Sequence, residues 1–336
     1  SRPLRVAFAG TGGRARRLLG ALSAVHRTGI AAAASPHATA AVLPELGHAP
    51  RYTDVAAMLD DVHPDFLIVA SSTRTHLDLA REALRREVPV LIEKPLADSL
   101  DAAMEFVRET TTGAEATRSE TLIAVAHNLV ATPELSPLLR RAAEAAADVS
   151  VTRRVPGASA DAPRTWSAAA LYEIFVHLLG LLVHAGFDAS SGIEAVGRGA
   201  SRPEYLRLIV RDGVRRGEIR FEVGGTEDML DVRTDDAALV RRGRGLHLDR
   251  GAGPEEVEGR GSDVELMIAA FAEEVRDRND GGAGDLGAGV LSTAQEGAAA
   301  MQLADAAIAA LRASGAELQR KSRPKHAASP GLSEGS

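Results

Sequence analysis

The sequence predicts an α/β chain in two parts, a helix-covered parallel sheet in front and an α+β domain with a largely antiparallel open sheet behind. Three observations predict it. Short apolar runs alternate with helical stretches through the first half, the pattern of a parallel sheet whose crossovers are helices. A glycine turn, Gly10-Thr11-Gly12-Gly13-Arg14-Ala15, joins the first run to the first helical stretch. After about Asp148 the runs alternate apolar with polar residues and are divided by Gly and Asp turns, as hairpins covered on one face require.

Taken in order, residues 4–9 form the first strand, a helix follows over about 13–28, and residues 30–34 give a short second strand. Phe66-Leu67-Ile68-Val69-Ala70 is apolar throughout, which suits a strand buried on both faces. A helix over about 75–86, a strand over 88–92, a helix over 99–112 and a strand over 121–126 complete the first part. In the second part a strand region begins at 149–155 and one strongly apolar helix spans about 168–185. Residues 193–249 hold hairpin strands, among them 205–210 and 218–223, and helices over about 263–278 and 293–314 close the fold. The reading places one domain over 1–130 and a second over 131–318. A polar tail at 319–336, rich in Ser, Pro, Gly and Lys, is expected to be disordered. No internal repeat is visible.

Composition narrows the function. A chain of 336 residues exceeds what one core usually supports. The longest apolar run, 174–183, is broken by His177 and falls short of the ~20 residues of a membrane span. No apolar leader stretch is seen before the first strand at Leu4, and the lack of cysteine fits the expectation of a cytoplasmic protein. The absence of cysteine excludes disulfides, thiolate nucleophiles and Cys-based metal sites. A net charge of −7 and an aromatic content of 3% argue against nucleic acid as a partner.

The glycine turn carries the first functional signal. Gly10 allows a tight turn, Gly12 lets backbone approach a pyrophosphate, and Ala15 lets the helix pack closely on its strand. Gly13 and Arg14 open the helix, whose N-terminal amides and dipole favour phosphate. With Thr11 in the same turn, residues 1–130 read as a Rossmann dinucleotide-binding domain. NAD-binding versions carry an acid at the end of the second strand; here that stretch is Ala33-Ala34-Ser35-Pro36-His37. Ser35 offers a hydrogen bond, and Arg14 or His37 offers positive charge to a 2′-phosphate. NADP is therefore expected in preference to NAD, with NAD still possible; the alternative is that Ser35 only caps the following helix.

Further along, Ile68-Val69-Ala70-Ser71-Ser72-Thr73-Arg74-Thr75-His76 leads into a helix, and Val90-Leu91-Ile92-Glu93-Lys94-Pro95-Leu96 ends a strand. Ligands in open α/β sheets sit beyond such strand ends. Pro95 holds Lys94 extended, and a lysine there can hydrogen-bond a reacting oxygen. Otherwise Lys94 is a strand-end cation paired with Glu93. In the second part Glu173 and His177 are four apart, so they share one helix face. Such a pair is also half a metal site, but no third ligand at suitable spacing stands out, and no metal is expected.

These segments together resemble the Gfo/Idh/MocA oxidoreductase family, named for glucose–fructose oxidoreductase and inositol dehydrogenase. The resemblance implies that Lys94 is the catalytic-site lysine and that Ser71, Ser72, His76 and Glu93 lie against the cofactor. It implies that His177 is the acid/base group and that Glu173, where the family has Asp, helps to hold substrate. It also places His127-Asn128 and Trp166 near substrate, with Asn128 and Trp166 as contacts, although packing or capping explains them equally well. Tyr172 is an alternative proton donor, on a different face of its helix. Arg241-Arg242-Gly243-Arg244 either meets a nucleotide-sugar phosphate or, by the plainer reading, is a solvated strand and turn.

The resemblance implies hydride transfer between a nicotinamide and a carbonyl or secondary alcohol of a sugar, cyclitol or nucleotide-sugar. The missing acid turns this towards an NADPH-dependent reductase. It also implies a homodimer or homotetramer formed through the C-terminal sheet. Rival readings are an imine reductase, a cofactor-recycling isomerase or glycosidase on the same scaffold, and a non-catalytic nucleotide-sensing or assembly protein. Fold alone does not choose among them, but the retained Lys94 and His177 favour carbonyl and alcohol chemistry.

Overall fold

The computed structural model describes residues 2–36, 43–112, 121–157, 159, 167–188, 190, 192–198, 204–243, 245–257, 261–282 and 290–314. The expected tail at 319–336, His37 and Trp166 lie outside the described residues. Among the described residues, no helix is long and apolar enough to cross a membrane.

The first part is β1 (Leu4–Ala9), α1 (Gly13–Leu22), β2 (Thr28–Ala34), β3 (Arg51–Tyr52), α2 (Val55–Val62), β4 (Phe66–Val69), α3 (His76–Leu84), β5 (Val90–Ile92), α4 (Leu100–Thr112) and β6 (Ile123–Val125). Its sheet has the order β3-β2-β1-β4-β5-β6, with every pairing parallel. The order reverses between β1 and β4, so a crevice opens beyond the carboxyl ends of these two strands. The strongly apolar β4 is buried at every residue because its two neighbours and helices on both faces exclude water.

The first helix is shorter than its sequence pattern suggests. It ends at Leu22, not near 28. The Thr28 hydroxyl donates to the carbonyl of Val25 at 2.8 Å, Arg27 takes a positive φ of 59°, and Thr28 already pairs with Leu4 in β2. Sheet pairing thus takes these residues from the helix. Two helices without a marked sequence signal also appear. One is α2, capped by the Asp54 side chain accepting from the Ala57 amide at 2.7 Å; the other is α5 (Leu135–Glu144).

The second part continues with β7 (Val149–Val155), α6 (Ala168–His184), β8 (Gly192–Arg198), β9 (Tyr205–Asp212), β10 (Arg215–Val223), β11 (Met229–Arg233), β12 (Ala238–Arg242), β13 (Gly245–Asp249) and β14 (Pro254–Val257). The sheet order is β14-β13-β12-β11-β7-β10-β9-β8. All pairs are antiparallel except β7 with β10. The apolar helix α6 is buried along most of its length and packs on the sheet, where a Cβ at Gly217 would lie 2.9 Å from Leu182.

Two final helices, α7 (Asp263–Asn279) and α8 (Ala294–Ala313), each begin with a complete capping box, Ser262/Glu265 and Thr293/Glu296. The former does not stay with the second sheet. Val264, Met267, Ile268, Phe271, Ala272 and Val275 join the core built on Val6, Phe8, Leu18 and Phe66. The Phe66 and Phe271 rings meet edge to face at 5.3 Å, and Arg276 donates to the carbonyls of His26 and Arg27. An apolar stripe so far along the chain thus covers one face of the first sheet.

Candidate active site

The glycine turn does what its chemistry predicts. Gly10 has φ of 113°, and a Cβ there would lie 2.5 Å from the Ala70 carbonyl oxygen, so no side chain fits. Its amide donates to the carbonyl of Ala34 at 2.8 Å, which closes the turn against β2. Gly12 stands at the N-cap of α1 with no side-chain cap, and no atom lies within 4 Å of a Cβ built on Gly12 or Gly13. The backbone from Thr11 to Gly13 is therefore open to close approach, and the amides and dipole of α1 suit an anion. These residues fit a dinucleotide pyrophosphate.

Two expected contacts to the adenosine end are placed differently. Arg14 turns away from Ser35: its guanidinium donates to the Lys94 carbonyl at 2.8 Å and to Glu173 Oε2 at 2.6 Å. A carboxylate and a carbonyl together outcompete solvent for its planar donors, so its charge is directed to Lys94 and Glu173. Ser35 is buried, with its amide donating to the Tyr52 carbonyl at 2.9 Å.

The loop after β4 is tied rather than loose. Ser71 and Thr75 hydroxyls are 2.8 Å apart, and Thr75 also donates to the Ser72 carbonyl. Ser72 is exposed at the strand end, but His76 is fully buried. The His76 Nδ1 lies 3.0 Å from the Pro95 carbonyl and Nε2 lies 3.3 Å from the Ser71 carbonyl. In place of the cofactor contact expected of it, His76 braces the Ser71 loop against the Glu93-Lys94-Pro95 turn. Burial lowers its pKa, against the pull of the two carbonyls.

The Lys94–Pro95 bond is cis, and the lysine side chain crosses to α6. Lys94 Nζ donates to Glu173 Oε2 at 2.9 Å and to the Glu173 carbonyl at 3.3 Å. Glu93 does not pair with the amine; its Oε2 accepts from the Lys94 amide at 3.0 Å, and burial raises its pKa against nearby cations. For Glu173, burial opposes ionisation, but Lys94 and Arg14 prevail and hold its carboxyl below the usual range. The extra methylene of Glu relative to Asp brings one oxygen to both cations. His177, one turn on, has Nδ1 enclosed without a hydrogen-bond partner. Burial, then Lys94, His127, Arg153 and Arg17, push its pKa well below that of an ordinary histidine. Tyr172 faces elsewhere, with its hydroxyl 3.5 Å from the Met301 carbonyl and its pKa raised by burial; it is no ready proton donor.

Lys94, Asn128, Glu173 and His177 border one cavity of about 580 Å³ that Arg14 also lines. Sequence reasoning missed much of its far wall. Arg153, Asp228, Arg241 and Asp263 line it too, as the ion pairs Arg153–Asp228 and Arg241–Asp263. The solvated-turn reading of Arg241 is thus corrected: Arg153, Leu230 and Arg241 stand in register across β7, β11 and β12 and so share a face of the sheet. Arg244 lies outside the described residues. The parity of β7 held the signal, because Arg153 occupies an inward position between Val151 and Val155. Among the described residues, no group of His, Cys, Asp and Glu is arranged to hold a metal ion.

Two buried histidines, His76 and His127, and the half-buried His177 make the fold acid-sensitive. His127 is pushed down to about 4 by burial and then by Lys94, and His76 and His177 move the same way. A depressed histidine pKa means that the unfolded chain takes up protons that the folded one refuses, so stability is complete above about pH 6.5 and lost as pH falls below it. His127 alone accounts for about 3 kcal/mol between there and about pH 4. Urea midpoints measured from pH 7.5 to pH 4.5 are expected to fall steeply; a flat profile contradicts the burial of neutral rings.

Comparison with known proteins points the same way. Residues 4–117 match the model of a family described as an oxidoreductase family with an NAD-binding Rossmann fold. An inositol 2-dehydrogenase of Rubrobacter xylanophilus is 54% identical over 41 residues, 12% of this chain and 12% of that protein's length. The myo-inositol dehydrogenase of Lactobacillus casei, solved with NAD(H) and myo-inositol, has TM-score 0.68 at 18% identity, covering 94% of this chain and 95% of its own. A UDP-N-acetylglucosamine 3-dehydrogenase from Acidithiobacillus ferrooxidans has TM-score 0.67 at 17% identity, covering 93% and 99%. At these identities the structures establish a shared two-part fold.

Proposed function

Because residues 4–117 match the model of the Gfo/Idh/MocA oxidoreductase family, we propose that the chain interconverts a secondary alcohol and a carbonyl on a sugar, cyclitol or nucleotide-sugar. The observation that carries this reading is the convergence of Lys94 and His177 on one cavity beside the dinucleotide turn. A nicotinamide dinucleotide bound at Gly10–Ala15 supplies or accepts the hydride. In oxidation, neutral His177 takes the hydroxyl proton at its cleft-facing nitrogen. The Lys94 ammonium, aimed by Glu173, hydrogen-bonds the oxygen as negative charge gathers there. In reduction His177 returns the proton. Asn128, half-buried on the same wall, offers both a donor and an acceptor to neighbouring hydroxyls.

NADP is proposed over NAD on one ground, the lack of an acid in Ala33-Ala34-Ser35-Pro36; Arg14, engaged with Glu173, no longer supports it. Titrating the protein separately with NADPH and NADH, followed by nicotinamide fluorescence, tests both levels. Tighter NADPH binding supports the reductase. Preference for NADH moves the assignment to an oxidative polyol dehydrogenase, and binding of neither overturns the enzyme. Copies of the chain are proposed to pair through the outer face of the second sheet, where Arg154–Glu222 and Arg207–Glu218 form cross-strand ion pairs. A monomer mass in sedimentation at micromolar concentration contradicts that.

A further inference from the structure

Behind His177 the face of α6 that lines the cavity continues inward to buried groups that the reaction as described does not use, His127 and His184. Along α6, Glu173, His177, Gly180 and His184 are spaced by four, three and four residues, so they share a helix face. Gly180 is a notch in an otherwise Leu-rich helix, where glycine is unfavourable by about 1 kcal/mol relative to alanine. The His127 ring fills it: a Cβ at Gly180 would lie 3.0 Å from His127 Nδ1 and 3.3 Å from Cε1. His127 thus sits one helical turn beyond His177. It is itself buried, and its Nδ1 lies 3.1 Å from the Ser292 hydroxyl.

Two ring nitrogens in this region are enclosed without a partner among the described residues, His177 Nδ1 and His127 Nε2. Buried polar atoms are rarely left so, and these two have complementary needs. For His177 to take a proton from substrate, its cleft-facing Nε2 must hold the lone pair, which leaves the proton on Nδ1. If His127 Nδ1 donates to Ser292, its Nε2 holds a lone pair. We infer that His127 is a positioning residue: its Nε2 accepts the Nδ1 proton of His177 through one enclosed water, and so fixes His177 as a base towards the cleft.

The logic is that of a group behind a catalytic imidazole setting its tautomer. Here the orienting group is neutral, in keeping with its surroundings. Lys94 from the end of β5, His184 from α6 and Glu296 from α8 act on His127; Lys94, Arg153 and Arg17 act on His177. Cations predominate, and they oppose a charged His127. The role rests on the proposed function only in making His177 the base; the tautomer itself can be read without any substrate.

The test uses the full chain labelled with 15N at its ten histidines, with two-bond proton–nitrogen correlation spectra at pH 7.5. The His177 signals are identified by their loss in His177→Gln. The expected result is a neutral His177 protonated on Nδ1. His127→Leu removes the acceptor, and His177 should shift to a mixture or to the Nε2-protonated form. His127→Gln keeps a carbonyl acceptor and should preserve the wild-type pattern. Should His127→Leu fold poorly, Ser292→Ala serves instead, since it frees the His127 proton and should likewise mix the His177 tautomer. An Nε2-protonated His177 in the wild type overturns the inference, as does a His177 pattern unchanged in both His127→Leu and Ser292→Ala. Loss of cofactor binding or of all turnover with intact tautomer changes would count against the proposed function and leave the positioning role standing.

Discussion

Lys94→Met is expected to lower turnover by about a thousandfold while leaving the affinity for the nicotinamide dinucleotide within a few-fold of wild type. The lysine is the one cation that β5 delivers to the cavity, with its amine 2.9 Å from Glu173 and its backbone carbonyl held by Arg14. Methionine keeps the length of the stem and removes the donor. Glu173 keeps Arg14 as a partner, so the loss is not compounded by a stranded carboxylate. Steady-state kinetics beside a fluorescence titration of the cofactor separate the two effects. A drop below tenfold means that Lys94 is a structural partner of Glu173 and that the oxygen is stabilised by another group.

His177→Gln is expected to lower turnover by about 10²–10⁴-fold and to change the pH profile. In the wild type the ring must be neutral to act as a base, and burial together with Lys94 keeps it so well below the ordinary histidine range. The acid limb of the oxidation rate therefore lies well below pH 6.5, and the rate is flat on the alkaline side until another group titrates. In the variant that limb disappears, because glutamine does not titrate. Rate measurements from pH 4.5 to pH 9 decide it. An acid limb that persists in the variant assigns the titration to a different group.

Much of this arrangement is legible in the sequence because local chemistry dictates it. Gly10 and Gly12 are needed at their positions whatever surrounds them, and the apolar β4 has only one environment in which it is stable. The Glu173–His177 spacing alone puts both residues on one side of α6. Other features depend on distant partners. Nothing near Arg14 announces that Glu173 will take its charge, 159 residues away, and the second-strand position offered a plausible local alternative. His76 has a cofactor-like position in the chain but a buried one in space, because Pro95 and Ser71 close over it. Arg241 pairs with an acid at the first turn of α7, a helix that a linear reading assigns to the second domain. The end of α1 was misplaced for a similar reason, since pairing of Thr28 with Leu4 is a decision of the sheet and not of the helix.

The return of α7 to the first sheet also shapes how the molecule is made. While the ribosome has released only the first 130 residues, Val6, Phe8, Leu18 and Phe66 lack the apolar cover that Phe271 and its neighbours give them in the finished protein. Contacts so remote along the chain form late and slow the search for the native state. The nascent nucleotide domain must therefore wait, greasy on one side and open to association with other chains, until residues 263–279 emerge. For this protein the core of the first sheet cannot be completed until residues 263–279 have been synthesised.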